Sequence, residues 1–170
     1  MAAGPTFDFI ATATPTGAAF SFTSIPQTYT DLVLMVNARV TSAYDILAMQ
    51  PLGNGSGYSG TYIEGSGNTG GYGTSEISFR MGYIPGTNQS NVWSADQVHI
   101  NNYASTTRYK TVYSNSRYPN THGLQQGFST QWKVGLWQNT SAITSLTIGT
   151  ANGGNFASGT NITLYGIAKA

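Results

Sequence analysis

"TDLVLMVNARV", residues 30–40, decides the fold. Leu32, Leu34, Val36, Ala38 and Val40 fall on alternate positions, and a period of two belongs to a strand. The opposite face begins apolar with Val33 and Met35 and turns polar with Asn37 and Arg39. That pattern suits a central strand covered on both faces at one end only.

The same period runs outward from this stretch. Upstream, "TFDFIATA" (6–13) sets Phe7, Phe9, Ala11 and Ala13 on one face, and "AFSFTSI" (19–25) does the same with Phe20 and Phe22. Downstream, "DILAM" (45–49) follows a short turn. "SEISFRMGYI" (75–84) alternates Ile77, Phe79, Met81 and Tyr83 with Glu76, Ser78 and Arg80, and Pro85-Gly86 closes it. "DQVHINNY" (96–103) carries Val98 and Ile100 inward. "TRYKTVYSNSRY" (107–118) alternates Tyr109, Thr111 and Tyr113 with Arg108, Lys110 and Val112. "GLQQGFSTQWKVGLW" (123–137) holds Phe128, Trp132, Val134, Leu136 and Trp137. "AITSLTIGT" (142–150) places Leu146 and Ile148 on one face. "NITLYGIA" (161–168) sets Ile162, Leu164 and Ala168 against Tyr165 and Ile167. No window of helical length shows the 3.6-residue period. About 8–10 short strands separated by turn signals predict an all-β chain: a jelly-roll-like antiparallel β-sandwich with essentially no helix. The sandwich fills one domain over residues 1–170, with a short N-terminal arm at 1–6.

One segment reads differently. Residues 53–75, "GNGSGYSGTYIEGSGNTGGYGTS", are dominated by glycine, which makes regular structure costly. A hairpin or edge strand around "YSGTYIEG" flanked by an extended loop is predicted, and loops of this length in compact domains usually carry function.

Composition narrows the function. Asp, Glu, Lys and Arg make up 8% of the chain, against about 25% in an average domain, and the net charge is +1. There is no Cys, and eleven Tyr stand among abundant Gly, Ser, Thr and Asn. Such a surface bonds through hydroxyls and amides, which salt barely screens. It also resembles the chemistry of adaptable recognition surfaces. The seven basic residues are scattered; only Arg108, Lys110 and Arg117 lie near one another, so no nucleic-acid partner is expected. No run approaches the roughly 20 apolar residues of a membrane span. The start, "MAAGPTFDFI", lacks a basic n-region and an apolar h-region, so synthesis in the cytoplasm without a signal peptide is expected.

No catalytic constellation emerges. The six acids (Asp8, Asp31, Asp45, Glu64, Glu76, Asp96) are not paired in sequence, no G-x-S-x-G elbow occurs, and His99 and His122 are too few for a zinc set. No catalytic residue, metal or cofactor is expected. The tyrosines of the glycine-rich stretch (Tyr58, Tyr62, Tyr72) and the strand carrying Arg108, Tyr109, Tyr113 and Tyr118 are the expected contact residues. Their rings suit stacking on a neighbouring subunit or on a sugar face.

Four stretches in order, "IPQTYTDLVLMVNARV", "GYSGTYIEGSG", "VHINNYASTTRYKTVYSNS" and "AITSLTIGTANGGNFASGTNITLYGI", resemble small structural proteins of tailed bacteriophages, cyanophages in particular. The likeness runs from about Ile25 to Ile167, and "FASGTNITLYGI" is its most specific piece. The resemblance implies a virion component with a β-sandwich fold. Foremost is a capsid decoration (cement) protein, commonly a homotrimer, that binds the major capsid protein at capsomer junctions on the capsid surface. The alternative it implies is a tail fibre or receptor-binding module recognising host glycan. Neither role brings a catalytic motif to carry over.

Overall fold

The computed structural model describes residues 6–64, 69–76, 78–120 and 127–168, with side chains described outside 65–77 and 118–129. The expected arm at 1–6 thus lies almost wholly outside the described residues. Twelve strands and no helix are found among them: β1 (Phe7–Ala13), β2 (Ala19–Phe22), β3 (Asp31–Asn37), β4 (Tyr44–Pro51), β5 (Tyr58–Glu64), β6 (Thr69–Glu76), β7 (Phe79–Pro85), β8 (Ala95–Ile100), β9 (Lys110–Asn120), β10 (Gly127–Trp137), β11 (Leu146–Thr150) and β12 (Asn161–Ile167).

All pairings are antiparallel and form two sheets. The large sheet runs β1-β12-β3-β8-β9-β10-β5-β6 and the small one β2-β11-β4-β7. Setting aside β5, β6, β9 and β10, the other eight strands pair first with last: β1 with β12, β2 with β11, β3 with β8, β4 with β7. That wrapped order is a double-sheet jelly roll. The remaining four are insertions. Hairpin β5–β6 leaves the β4–β7 connection, hairpin β9–β10 leaves the β8–β11 connection, and β10 pairs with β5 to extend the large sheet by four strands.

The core lies between the sheets. Leu32, Leu34 and Val36 of β3, Val98 and Ile100 of β8, and Ile162 and Leu164 of β12 meet Leu47 and Met49 of β4 and Leu146 and Ile148 of β11, all buried. β3 behaves as its pattern requires: on its second face Val33 is buried while Met35 is 40% exposed.

Three expectations need correction. The face shared by Phe7, Phe9, Ala11 and Ala13 is broken by a bulge at Ile10, where the register steps from Phe9↔Tyr165 to Ala11↔Leu164. Phe7 and Phe9 therefore point outward, while Ala11 and Ala13 pack on the core. "SEISFRMGYI" is two strands, β6 ending at Glu76 and β7 starting at Phe79. In the glycine-rich stretch the expected hairpin is present as β5–β6, but β6 takes up part of the expected loop and β5 is an interior strand between β10 and β6, because paired neighbours supply the backbone bonds that glycine propensity alone does not favour.

The extension folds against β7. A Cβ on Gly135 of β10 would stand 2.5 Å from the Phe79 ring, and one on Gly82 of β7 would stand 2.0 Å from Ser116 Oγ of β9. Only bare backbone at these two places lets the inserted strands close over the edge of the small sheet.

Candidate interaction surface

Along β9 and β10 the alternation is sharp. Lys110, Val112, Ser114 and Ser116 of β9 and Gln131, Gly135 and Trp137 of β10 face inward and are buried. The outward positions form the outer face of the extension. Ile63 pairs with Trp132, and Val134 pairs with Tyr113, so these four side chains are contiguous across β5, β10 and β9. They are 69%, 55%, 50% and 37% exposed in the order Ile63, Trp132, Val134, Tyr113. Of the described outward residues on these three strands, only Arg117 carries charge. Contiguous exposed apolar surface rimmed by polar residues is what interaction sites look like.

The same outer face continues over the jelly roll. Tyr113 pairs with His99 of β8 and stacks on its ring, with centroids 4.9 Å apart. The Asp31 carboxylate can only accept, so His99 Nε2 carries the proton and donates to Asp31 Oδ2 (3.1 Å). The other ring nitrogen, Nδ1, shares a hydrogen bond with the Tyr113 hydroxyl (2.8 Å). Asp31 is itself held by the Asn102 N–H at Oδ1 (2.7 Å). This chain fixes one exposed aromatic ring. At the far edge Phe7 and Phe9 both meet Tyr165 edge-on.

Two buried polar groups anchor the extension. Lys110 is fully buried, and its Nζ donates its three protons to the carbonyls of Ser105 (2.7 Å), Arg108 (2.9 Å) and Thr140 (3.0 Å), with the Asn139 carbonyl at 3.5 Å sharing one of them, tying together the turns at either end of the β9–β10 hairpin's base. Burial lowers its pKa from the ordinary lysine value. Asp96 on β8 accepts the Ser94 hydroxyl at Oδ2 (2.7 Å). Burial pushes its pKa up to about 6, against the opposing pull of Ser116, Ser94 and Lys133. Ser116 stands cross-strand from it, close enough to favour the carboxylate, yet neither Ser116 Oγ nor Asp96 Oδ1 has a hydrogen bond of normal geometry.

The seven expected contact residues do not share one patch. Tyr113 lies in the exposed outer patch. Arg108 and Tyr109 are exposed, but in the turn before β9, which begins only at Lys110. Tyr62 is half-buried on the inner face, with Lys133 Nζ 5.2 Å from its ring centroid. Tyr58 is a correction: it is 2% exposed, stacked on Trp137, edge-on to Phe79, and donates its hydroxyl to the Asn54 carbonyl (2.6 Å). As the first residue of an inward-facing row that ends on Trp137, it belongs to the core. The side chains of Tyr72 and Tyr118 lie outside the described residues. Sequence reasoning missed Ile63, Trp132 and Val134 as surface residues. For Trp132 and Val134 the signal was present, since they alternate with Gln131, Lys133 and Gly135 along β10, but apolar residues at period two read as the buried face by default.

Among the described residues no group of three or more His, Cys, Asp or Glu could hold a metal ion, and no helix is long and apolar enough to cross a membrane. No protein-family profile, curated protein or solved structure matches this chain.

Proposed function

We propose that the protein is a structural component of a phage virion, a capsid decoration protein that works by covering and being covered. One observation carries this reading: the inserted strands build a nearly uncharged outer face whose centre, Ile63, Trp132, Val134 and Tyr113, is left exposed. Both insertions contribute to it, so the face is a product of what the chain adds to an ordinary jelly roll. Burying such side chains in a contact stabilises it by about 25 cal/mol per Å² of apolar area. The jelly-roll order and the sequence resemblance agree with a place at capsomer junctions, with other copies of the chain, as a homotrimer, and the major capsid protein as partners. Adhesion of this kind stabilises a shell by mass action without turnover.

The test is reconstitution. Particles lacking the protein are mixed with the parent chain or with Trp132→Ser, and bound copies and heat resistance are measured. The parent should bind in hundreds of copies and raise the temperature of genome release. Trp132→Ser should keep its own melting temperature within about 1–2 °C, because the ring is exposed, yet lose at least about tenfold in particle affinity. Absence of binding by the parent, or equal binding by the variant, removes the reading. The alternative of glycan recognition through Tyr58 loses that residue, since the ring is buried in the core.

A further inference from the structure

The row that carries Tyr113 and Val134 runs on across the large sheet. Phe9 of β1, Tyr165 of β12, Val33 of β3, His99 of β8, Tyr113 of β9 and Val134 of β10 each stand directly opposite the next. All six therefore share the outer face. In the middle of the row Val33 is buried. At one end lies the patch of Ile63, Trp132, Val134 and Tyr113. At the other end the row surfaces again: Phe9 is 62% and Phe7 45% exposed, both edge-on to Tyr165. This aromatic corner belongs to β1, which ends the sheet.

We infer that the aromatic corner of one copy docks on the Trp132 patch of the next, head to tail. The inference rests on the homotrimer proposed above and names the two surfaces that hold it together. Distance comes first. β1 and β10 are five strand spacings apart, about 24 Å at ~4.8 Å each, so one chain cannot bring its own corner to its own patch. Area comes second. The exposed fractions of Phe7, Phe9, Trp132 and Tyr113 amount to about two whole side chains, or ~400 Å² at roughly 200 Å² each. That is about a third of the ~1,200 Å² at the small end of specific interfaces, and Ile63, Val134 and the surface around them add to it. Charge sets the pairing. Asp8, half-buried on the edge strand, is the only charged residue of β1 and β12, while Arg117 is the only one among the described outward residues of β5, β9 and β10. A patch docked on its own kind would bring two guanidinium groups together. Docked on the corner, it meets the end of the sheet that carries a carboxylate. Two different surfaces joined in this way make a heterologous contact, the kind that closes into rings.

The full chain alone, without particles, is sized by light scattering over about 1–100 µM. The parent should assemble, as trimers once the ring closes. Phe9→Ser and Trp132→Ser change exposed rings, so each should keep the parent's amide spectrum away from the change while its assembly midpoint rises at least about tenfold. Phe7→Ser should act as Phe9→Ser does. The deciding step is complementation. ¹⁵N-labelled Phe9→Ser keeps its patch and unlabelled Trp132→Ser keeps its corner, so mixing them restores one contact per pair. Amides of residues 63, 113, 132 and 134 in the labelled chain should shift saturably, with a Kd no weaker than about millimolar. Unlabelled Phe9→Ser added to the same labelled chain should shift none of them. A monomeric parent overturns the contact. So does a Phe9→Ser chain that assembles as the parent does, because the patch then meets its own kind, and so does a mixture without shifts. The two readings fail separately. A parent that assembles but ignores particles removes decoration and keeps this contact, whereas monomers that bind particles remove this contact and keep decoration.

Discussion

Lys110 shows how much one side chain can hold. Its ammonium gathers four carbonyls from two separate turns while fully out of water. Lys110→Ala would remove the donor that these carbonyls share and should cost about 1–3 kcal/mol, read as a drop in chemical-denaturation midpoint. Asp96 gives the complementary case. Its folded pKa, about 6, lies above its unfolded value of 3.8, so the folded state binds the extra proton between those limits. Its contribution is therefore present in full below about pH 4 and lost as pH rises through about 6. We expect Asp96→Asn to flatten the stability profile between pH 4 and 6 and to raise stability at pH 7 by about 1–3 kcal/mol. A variant less stable than the parent at pH 7 would contradict that sign. On the outer face, His99→Ala should free the Tyr113 ring. If the ring is a docking residue, particle affinity should fall about three- to tenfold while the melting temperature barely moves.

At the scale of elements, most strands were legible, β9 and β10 included, but the pairing of β10 with β5 that joins the two insertions was not. β8 and β11 carry their apolar residues at period two, β3 and β12 add apolar residues on a second face, and each buries the face that the sequence marks. β1 misleads because a single bulge at Ile10 exchanges the faces halfway along, and nothing in "TFDFIATA" announces it. β6 was hidden by glycine, and β5, legible as a hairpin or edge strand, is interior because it pairs on both sides. The same strands concealed the candidate surface. Trp132 and Val134 look like core until the register of β10 shows that Gln131, Lys133 and Gly135 hold the inward positions. Tyr58 looks like surface until its pairing with Trp137 places it at the base of the inner row. Gly82 is where this arrangement is least tolerant. Gly82→Ala would drive a methyl group into Ser116, which is fully buried and has no room to yield. Overpacking there should cost about 1–3 kcal/mol in equilibrium unfolding and act on the seam between β7 and β9.

For the whole molecule, scarce charge has a measurable meaning. With Asp, Glu, Lys and Arg at 8% of the chain, cohesion comes chiefly from burial and neutral hydrogen bonds. The melting temperature should then change by no more than about 2–3 °C between 0.05 and 1 M sodium chloride, since screening has little to weaken. A larger downward shift would mean that ion pairs matter more than the composition suggests.

The pairing of the first strand with the last also has a practical side. Phe7 lies opposite Ile167, and the Ala168 N–H reaches the Thr6 carbonyl at 3.3 Å. A linker of a few residues could splice position 168 to position 6, and a new opening cut in the exposed turn at 52–56 would then yield a rearranged gene product with the same sandwich. Any two passengers attached at the present positions would emerge side by side from one corner, well away from the tryptophan-bearing end of the sheet.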